Sequence, residues 1–298
     1  MLDAVERKIE QFIADLNDSE VSGFYGQLPH GKRLRAKLIL KIAGSSLAVL
    51  KTAAVVEMIH AASLLHDDVI DDAYTRRSKP SLNALYGNKT AIMLGDILYS
   101  KGFLELNNIS AEVSKIISNA VVQLSLGELK DVSLSKTFNL DKEVYLEMIY
   151  QKTASLMEAS AGAAAQLAGK DKTAYMTYGR NLGIAFQMID DILDITVDAS
   201  VLGKPALHDF EEGKTTLPYI YLYAVLSKND QERLKALHGQ VLRTEDQTWI
   251  LAEMKKHKII EKSFSEAKVL VEEAIALMQA HGEDALTSIA MQMIDREF

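Results

Sequence analysis

The sequence predicts an all-α protein, a single large bundle of ten or more helices spanning residues 1–298. Three observations carry this. Apolar residues recur at three- and four-residue spacing through most of the chain, only four prolines interrupt 298 residues, and no stretch alternates apolar with polar residues in the β-branched manner of a strand.

The elements follow in order. Leu2, Val5, Ile9, Phe12, Ile13 and Leu16 form one apolar stripe. Amphipathic runs follow at about 36–50 and 52–72, with further helical segments near 90–107, 111–132, 141–168, 171–195, 216–227, 230–238, 245–256, 260–280 and 283–296. Turn chemistry marks the breaks at Ser22 to Gly31, Arg77 to Asn88 and Asp198 to Gly213. None is a flexible Gly/Ser linker, and no repeat is present, so one domain is the simplest organisation.

Composition narrows the function. A formal charge of −8 argues against nucleic acid as a partner. With no cysteine, disulfides, thiolate metal sites and cysteine nucleophiles are excluded. The N-terminus has no signal-peptide pattern, and the longest charge-free stretch, Thr215–Ser227, is too short to span a bilayer. The expectation is a cytoplasmic protein without a transmembrane segment.

Two acidic triads stand out. Asp67-Asp68-Val-Ile-Asp71 closes the third segment, and Asp190-Asp191-Ile-Leu-Asp194 interrupts a core-like run. On a helix the outer members of each triad lie one turn apart, where like charges repel. A solvated helix end would explain either triad alone. Two of them, facing each other across a bundle, suit a hard divalent cation such as Mg2+, which takes oxygen ligands and keeps places for substrate phosphates. Phosphates also need fixed cations. Lys32-Arg33-Leu34-Arg35, Arg76-Arg77, Lys152, Lys204 and Lys214 accompany the triads. Each alone reads as a solvated surface charge; together they point to diphosphate.

With these blocks assembled, the chain resembles the trans-isoprenyl diphosphate synthases, in particular the bacterial long-chain (octaprenyl-type) polyprenyl diphosphate synthases. Gly31-Lys-Arg-Leu-Arg35, Glu57-Met-Ile-His60 with Asp67 to Asp71, Arg76-Arg77, Lys152-Thr153, and Phe186 to Asp194 followed by Gly203-Lys204 and Gly213-Lys214-Thr-Thr-Leu-Pro218 match in order. The resemblance implies helices around a deep central cavity. It implies that Lys32, Arg35, His60 and Arg77 hold isopentenyl diphosphate without metal. Asp67, Asp71 and Asp190 would bind Mg2+, with Asp68, Asp191 and Asp194 ranking behind them. Arg76, Lys152, Lys204 and Lys214 would grip an allylic diphosphate such as farnesyl diphosphate. Thr153 and Gln187 would join them at the allylic diphosphate and line the reacting carbons, forming the catalytic set with Asp67, Asp71, Asp190 and Lys152. His30, Ala36 and His208-Asp209 depart from the usual pattern, and none removes a proposed ligand.

The same resemblance implies repeated head-to-tail addition of isopentenyl diphosphate, and a homodimer. Ala62 and Ser63 lie about 6–8 Å down the helix from Asp67. Small side chains there leave a tunnel open along Ile59, Val56 and Val55, so the expected product is octaprenyl. The alternatives are a geranylgeranyl diphosphate synthase and a non-catalytic synthase subunit. A class I terpene cyclase fits less well, since it lacks the Lys32, Arg35 and His60 set.

Overall fold

The computed structural model describes residues 1–29, 31–77, 79–196 and 207–294, and side chains as far as 291. The fold is all-α, as the apolar spacing requires. Its helices are α1 (Leu2–Ala14), α2 (Ser19–Gln27), α3 (Leu34–Ala43), α4 (Leu47–Ile70), α5 (Leu82–Tyr86), α6 (Asn88–Leu106), α7 (Ala111–Leu134) and α8 (Lys142–Ile149). A π-helical turn (Tyr150–Ala154) leads into α9 (Ser155–Ala168) and α10 (Lys172–Thr196). Then come α11 (His208–Glu211), α12 (Leu217–Val225), α13 (Lys228–Leu237), α14 (Thr244–Lys256), α15 (Ile259–Ala280) and α16 (Asp284–Ile294).

Packing divides the chain into two compact units. One comprises residues 1–122 and 156–179, the other 123–155 and 180–298. In the first, α1, α3 and α6 pack on α4. Helix α4 is buried on every side from Thr52 to Ile59, as expected of a helix that is apolar all round. By length and composition it could cross a membrane. However, 56% of its most apolar window is buried inside the protein, and its end carries His66, Asp67 and Asp68. It is the core helix of this unit. In the second unit α15 packs against α12, α14 and α16.

Several features differ from the periodicity reading, among them short helices α5 and α11 inside the expected breaks at Arg77 to Asn88 and Asp198 to Gly213. The run at 36–50 is broken at Gly44, whose φ of +77° suits glycine, and the Ser46 hydroxyl accepts from Val49 N to cap α4. Helix α2 occupies part of the expected Ser22–Gly31 break. Asp18 caps it by accepting from the backbone N–H of Glu20 and Val21, but it buries no residue and so left no apolar stripe to read. The segment 141–168 is two helices joined by the π turn. A two-residue antiparallel hairpin pairs Thr75–Arg76 with Lys79–Pro80 where no strand was expected.

Candidate active site

In the first unit, Asp67 and Asp71 stand one turn apart at the end of α4, both half-buried. Asp68 is bound by Arg76. It is 4% exposed, and its Oδ1 accepts from Arg76 Nε at 2.7 Å. Arg76 Nη2 lies 2.7 Å from the same oxygen. The backbone is fixed as tightly: Asn83 Nδ2 donates to the carbonyls of Asp68 and Ala73, and Ser81 Oγ to that of Ala73. These bonds place the hairpin, and with it Arg76 and Arg77, beside the acidic end of α4.

The basic block sorts its members sharply. Arg33 is locked to Glu6 through Nε at 2.6 Å and Nη2 at 3.0 Å. Buried Glu57 reaches Arg33 Nη1 at 3.5 Å and accepts from the Ala36 backbone N–H at 2.9 Å. Arg33 and Glu57 therefore build the start of α3. Arg35 differs, because its Nε is buried with no hydrogen-bond partner among the described residues. Burial pushes its pKa down, against the pull of Glu57. A buried donor without an acceptor is costly, and an anion would relieve it. Burial, then the charges of Arg35, Arg77, Arg76 and Arg33, hold the His60 imidazole well below its ordinary pKa of 6.5. It is a neutral donor amid cations, though one edge stays partly exposed. Gly31 lies against the Arg77 guanidinium, where a Cβ would fall 3.0 Å from Nη1. Lys32 is exposed.

In the second unit, the π turn carries Lys152 and Thr153. Single π turns inside helices recur at functional sites because they re-aim side chains. Lys152 Nζ sits 2.6 Å from Asp131 and 2.9 Å from Glu128, both on α7. Burial lowers its pKa, but these two carboxylates outweigh burial and raise it, so the ammonium stays charged. Thr153 Oγ1 donates to Gln187 Oε1 at 2.7 Å. Gln187 Nε2 donates to Asp191 at 2.9 Å, and Tyr145 Oη donates to the other oxygen of Asp191 at 2.7 Å. Asp191 is therefore enclosed, and burial, followed by the charge of Asp209, pushes its pKa well above the usual carboxylate range. Asp190 and Asp194 are half-buried, and Asp194 Oδ2 accepts from the Asp209 backbone N–H. Lys214 Nζ bonds Glu212 at 2.7 Å, and His208 lies 2.9 Å from the same carboxylate. Lys204 and Gly203 lie outside the described residues.

The chain-length positions separate as well. Ser63 is half-buried, whereas Ala62, Ile59, Val56 and Val55 have no exposed surface. Glycine at 102 brings α6 close to this stretch, where a Cβ would fall 3.4 Å from Val55 and 3.6 Å from Ile59.

Among the described residues, no three His, Cys, Asp or Glu side chains cluster closely enough to hold a metal ion alone. The donor set still fits Mg2+. Each triad offers two half-buried carboxylates at one-turn spacing, and magnesium uses one or two carboxylates with water and phosphate oxygens completing the shell.

Comparison with known proteins decides the family. Residues 22–254 match the family model described as polyprenyl synthetase. The chain belongs to the polyprenyl synthetase family. It is 33% identical over 312 residues to an octaprenyl diphosphate synthase of Haemophilus influenzae, covering 98% of this chain and 94% of that one. Its fold matches the crystal structure of octaprenyl pyrophosphate synthase from Helicobacter pylori with a TM-score of 0.94 and 40% identity, over 99% and 98% of the two chains. A polyprenyl synthase from Caulobacter crescentus, complexed with calcium and isoprenyl diphosphate, matches with a TM-score of 0.90 and 30% identity, over 100% and 95%. As a polyprenyl synthetase the protein is a long-chain trans-prenyltransferase, and its all-α fold is that of its relatives.

Within this polyprenyl synthetase three partners escaped the sequence reading: Tyr145, Glu128 and Asp131. The last two carried a signal. They lie three residues apart on α7, on one helix face just after Gly127, a spacing that addresses a single cation. Tyr145 carried none, since a tyrosine at a core position reads as packing.

Proposed function

We propose that this synthase adds isopentenyl diphosphate repeatedly to an allylic diphosphate such as farnesyl diphosphate, with octaprenyl diphosphate as product and Mg2+ as cofactor. The buried Nε of Arg35, without a hydrogen-bond partner among the described residues and beside neutral His60, carries the substrate assignment. It is a donor built for an anion.

Lys32, Arg35, His60 and Arg77 hold the diphosphate of isopentenyl diphosphate. Arg76, Lys152, Lys204 and Lys214 grip the allylic diphosphate, with Asp67, Asp71 and Asp190 as metal ligands. When bound, Mg2+ offsets charge that develops on the departing diphosphate. Arg76, Lys152 and Lys214 share that task from fixed positions, because each is oriented by a carboxylate: Asp68, Asp131 with Glu128, and Glu212. The oxygens of Thr153 and Gln187 face the allylic carbon as its C–O bond breaks and positive charge spreads along the allyl group. The alkene of isopentenyl diphosphate, held close, attacks that carbon. Proton loss restores a double bond, with the departing diphosphate as acceptor.

The inward commitments of Asp68 and Asp191 support the outer members of each triad as the ligands. Exposed apolar side chains on α6 (Ile92, Met93, Leu104) and α7 (Val122, Leu126, Leu129) support a homodimer that covers them. A charge of −8 and the lack of cysteine suit the cytoplasm.

Incubation with farnesyl diphosphate, labelled isopentenyl diphosphate and Mg2+, followed by dephosphorylation and chain-length analysis, tests the assignment. Magnesium-dependent elongation to octaprenol is expected. Elongation in EDTA, or none with magnesium, would refute it. Arrest at geranylgeraniol would favour the shorter-chain alternative.

A further inference from the structure

Tyr145 is 1% exposed, and its hydroxyl donates to Asp191 Oδ2 at 2.7 Å. The other oxygen of Asp191 accepts from Gln187 Nε2 at 2.9 Å, and Gln187 Oε1 accepts from Thr153 Oγ1 at 2.7 Å. Four side chains thus form one chain of hydrogen bonds whose donors converge on Asp191. It runs from the fully buried phenol to two half-buried groups at its far end, Gln187 and Thr153.

We infer that Tyr145 is a positioning residue of the prenyl transfer reaction, acting through Asp191 to fix the amide of Gln187 and the hydroxyl of Thr153. This rests on the reading that Gln187 and Thr153 face the reacting carbons. A primary amide has two orientations of nearly equal shape. Both Asp191 oxygens already accept, one from the phenol and one from the amide, so flipping Gln187 would set its carbonyl oxygen against an acceptor, oxygen to oxygen. The carboxylate therefore decides which end of the amide meets Thr153. The carboxylate is itself free to rotate unless its second oxygen is held, and the phenol holds it. Oxygen dipoles already aimed where positive charge develops need no reorganisation during the reaction, whereas a mobile amide would. The effect belongs to the chemical step and not to diphosphate grip, since none of the four groups is a diphosphate-binding cation.

Tyr145→Phe removes one oxygen and keeps the ring. The expected result is a fall in kcat of about 10- to 100-fold, the range for outer partners of reacting groups, with both KM values within about twofold of wild type. In a Gln187→Ala background, where the chain is already cut, Tyr145→Phe is expected to cause no further loss. The side-chain amide resonance of Gln187 in the ligand-free enzyme is expected to shift in Tyr145→Phe. Should that variant not fold, 3-fluorotyrosine at position 145, nearly isosteric and a stronger donor, is expected to shift the same resonance. Unchanged kcat, an equal loss in both backgrounds, or an unmoved amide resonance would overturn the inference. The underlying reading fails separately: if Gln187→Ala keeps full kcat, Gln187 does not face the reaction at all.

Discussion

Gly127 on α7 lies against the backbone nitrogen of Lys152, so close that a methyl group at position 127 would overlap it. On α10, Gly183 meets the same turn, where a Cβ would fall 2.5 Å from the Ala154 Cα. The π turn that aims Lys152 and Thr153 is therefore gripped from two sides by helices lacking side chains at the contact.

Gly127→Ala tests this grip. Helix propensity alone would favour alanine by about 1 kcal/mol. Overpacking opposes it by about 1–3 kcal/mol and must displace the turn. The expected outcome is a lower melting temperature together with a lower kcat. A variant that melts higher and keeps its turnover would show that the contact does not set the turn.

Both acidic triads were legible because i, i+4 aspartates on apolar helices are expensive without a cation. Which aspartate turns inward was not. That depends on Arg76 and Tyr145, eight and 46 positions away from Asp68 and Asp191, and helical spacing carries no record of such partners. The π turn was hidden for a related reason. One extra residue in a turn shifts the apolar stripe by about a quarter turn, but a segment as alanine-rich as 154–168 reads as helix in either register. The helices with strong stripes were found, whereas α2, which buries nothing, was not.

His60 makes stability depend on pH. Its folded pKa lies well below 6.5, so the native imidazole is neutral where the unfolded one begins to gain a proton. Below pH 6.5 the unfolded state binds more protons, and stability falls with acid until the folded pKa is reached. His60→Gln removes this contribution. The measured difference in unfolding free energy between pH 7.5 and pH 5.5 is expected to be smaller in the variant. An identical difference would show that His60 titrates normally in the fold.

Arg33 and Arg35, two positions apart, are expected to fail differently. Arg33→Ala leaves buried Glu57 without its cation and is expected to destabilise the protein by about 3 kcal/mol in urea unfolding. Arg35→Lys keeps the charge but loses the planar donor set. It is expected to raise KM for isopentenyl diphosphate about tenfold, with the melting temperature and the allylic KM little changed. An allylic KM that rises in step would move Arg35 to the other diphosphate.

Ser63 and Ala62 separate tunnel control from core packing. Ser63 is half-buried, and its hydroxyl bonds the His60 carbonyl one turn back, so added bulk has somewhere to go. Ala62 has no exposed surface, and bulk there meets the core directly. Ser63→Phe is therefore expected to shorten the product while the melting temperature holds. Ala62→Tyr is expected to shorten it only alongside a destabilisation of about 1–3 kcal/mol. Chain-length analysis beside thermal melts distinguishes them. If Ser63→Phe leaves the product length unchanged, the growing tail does not pass that face of α4, and the small residues before Asp67 serve helix packing alone.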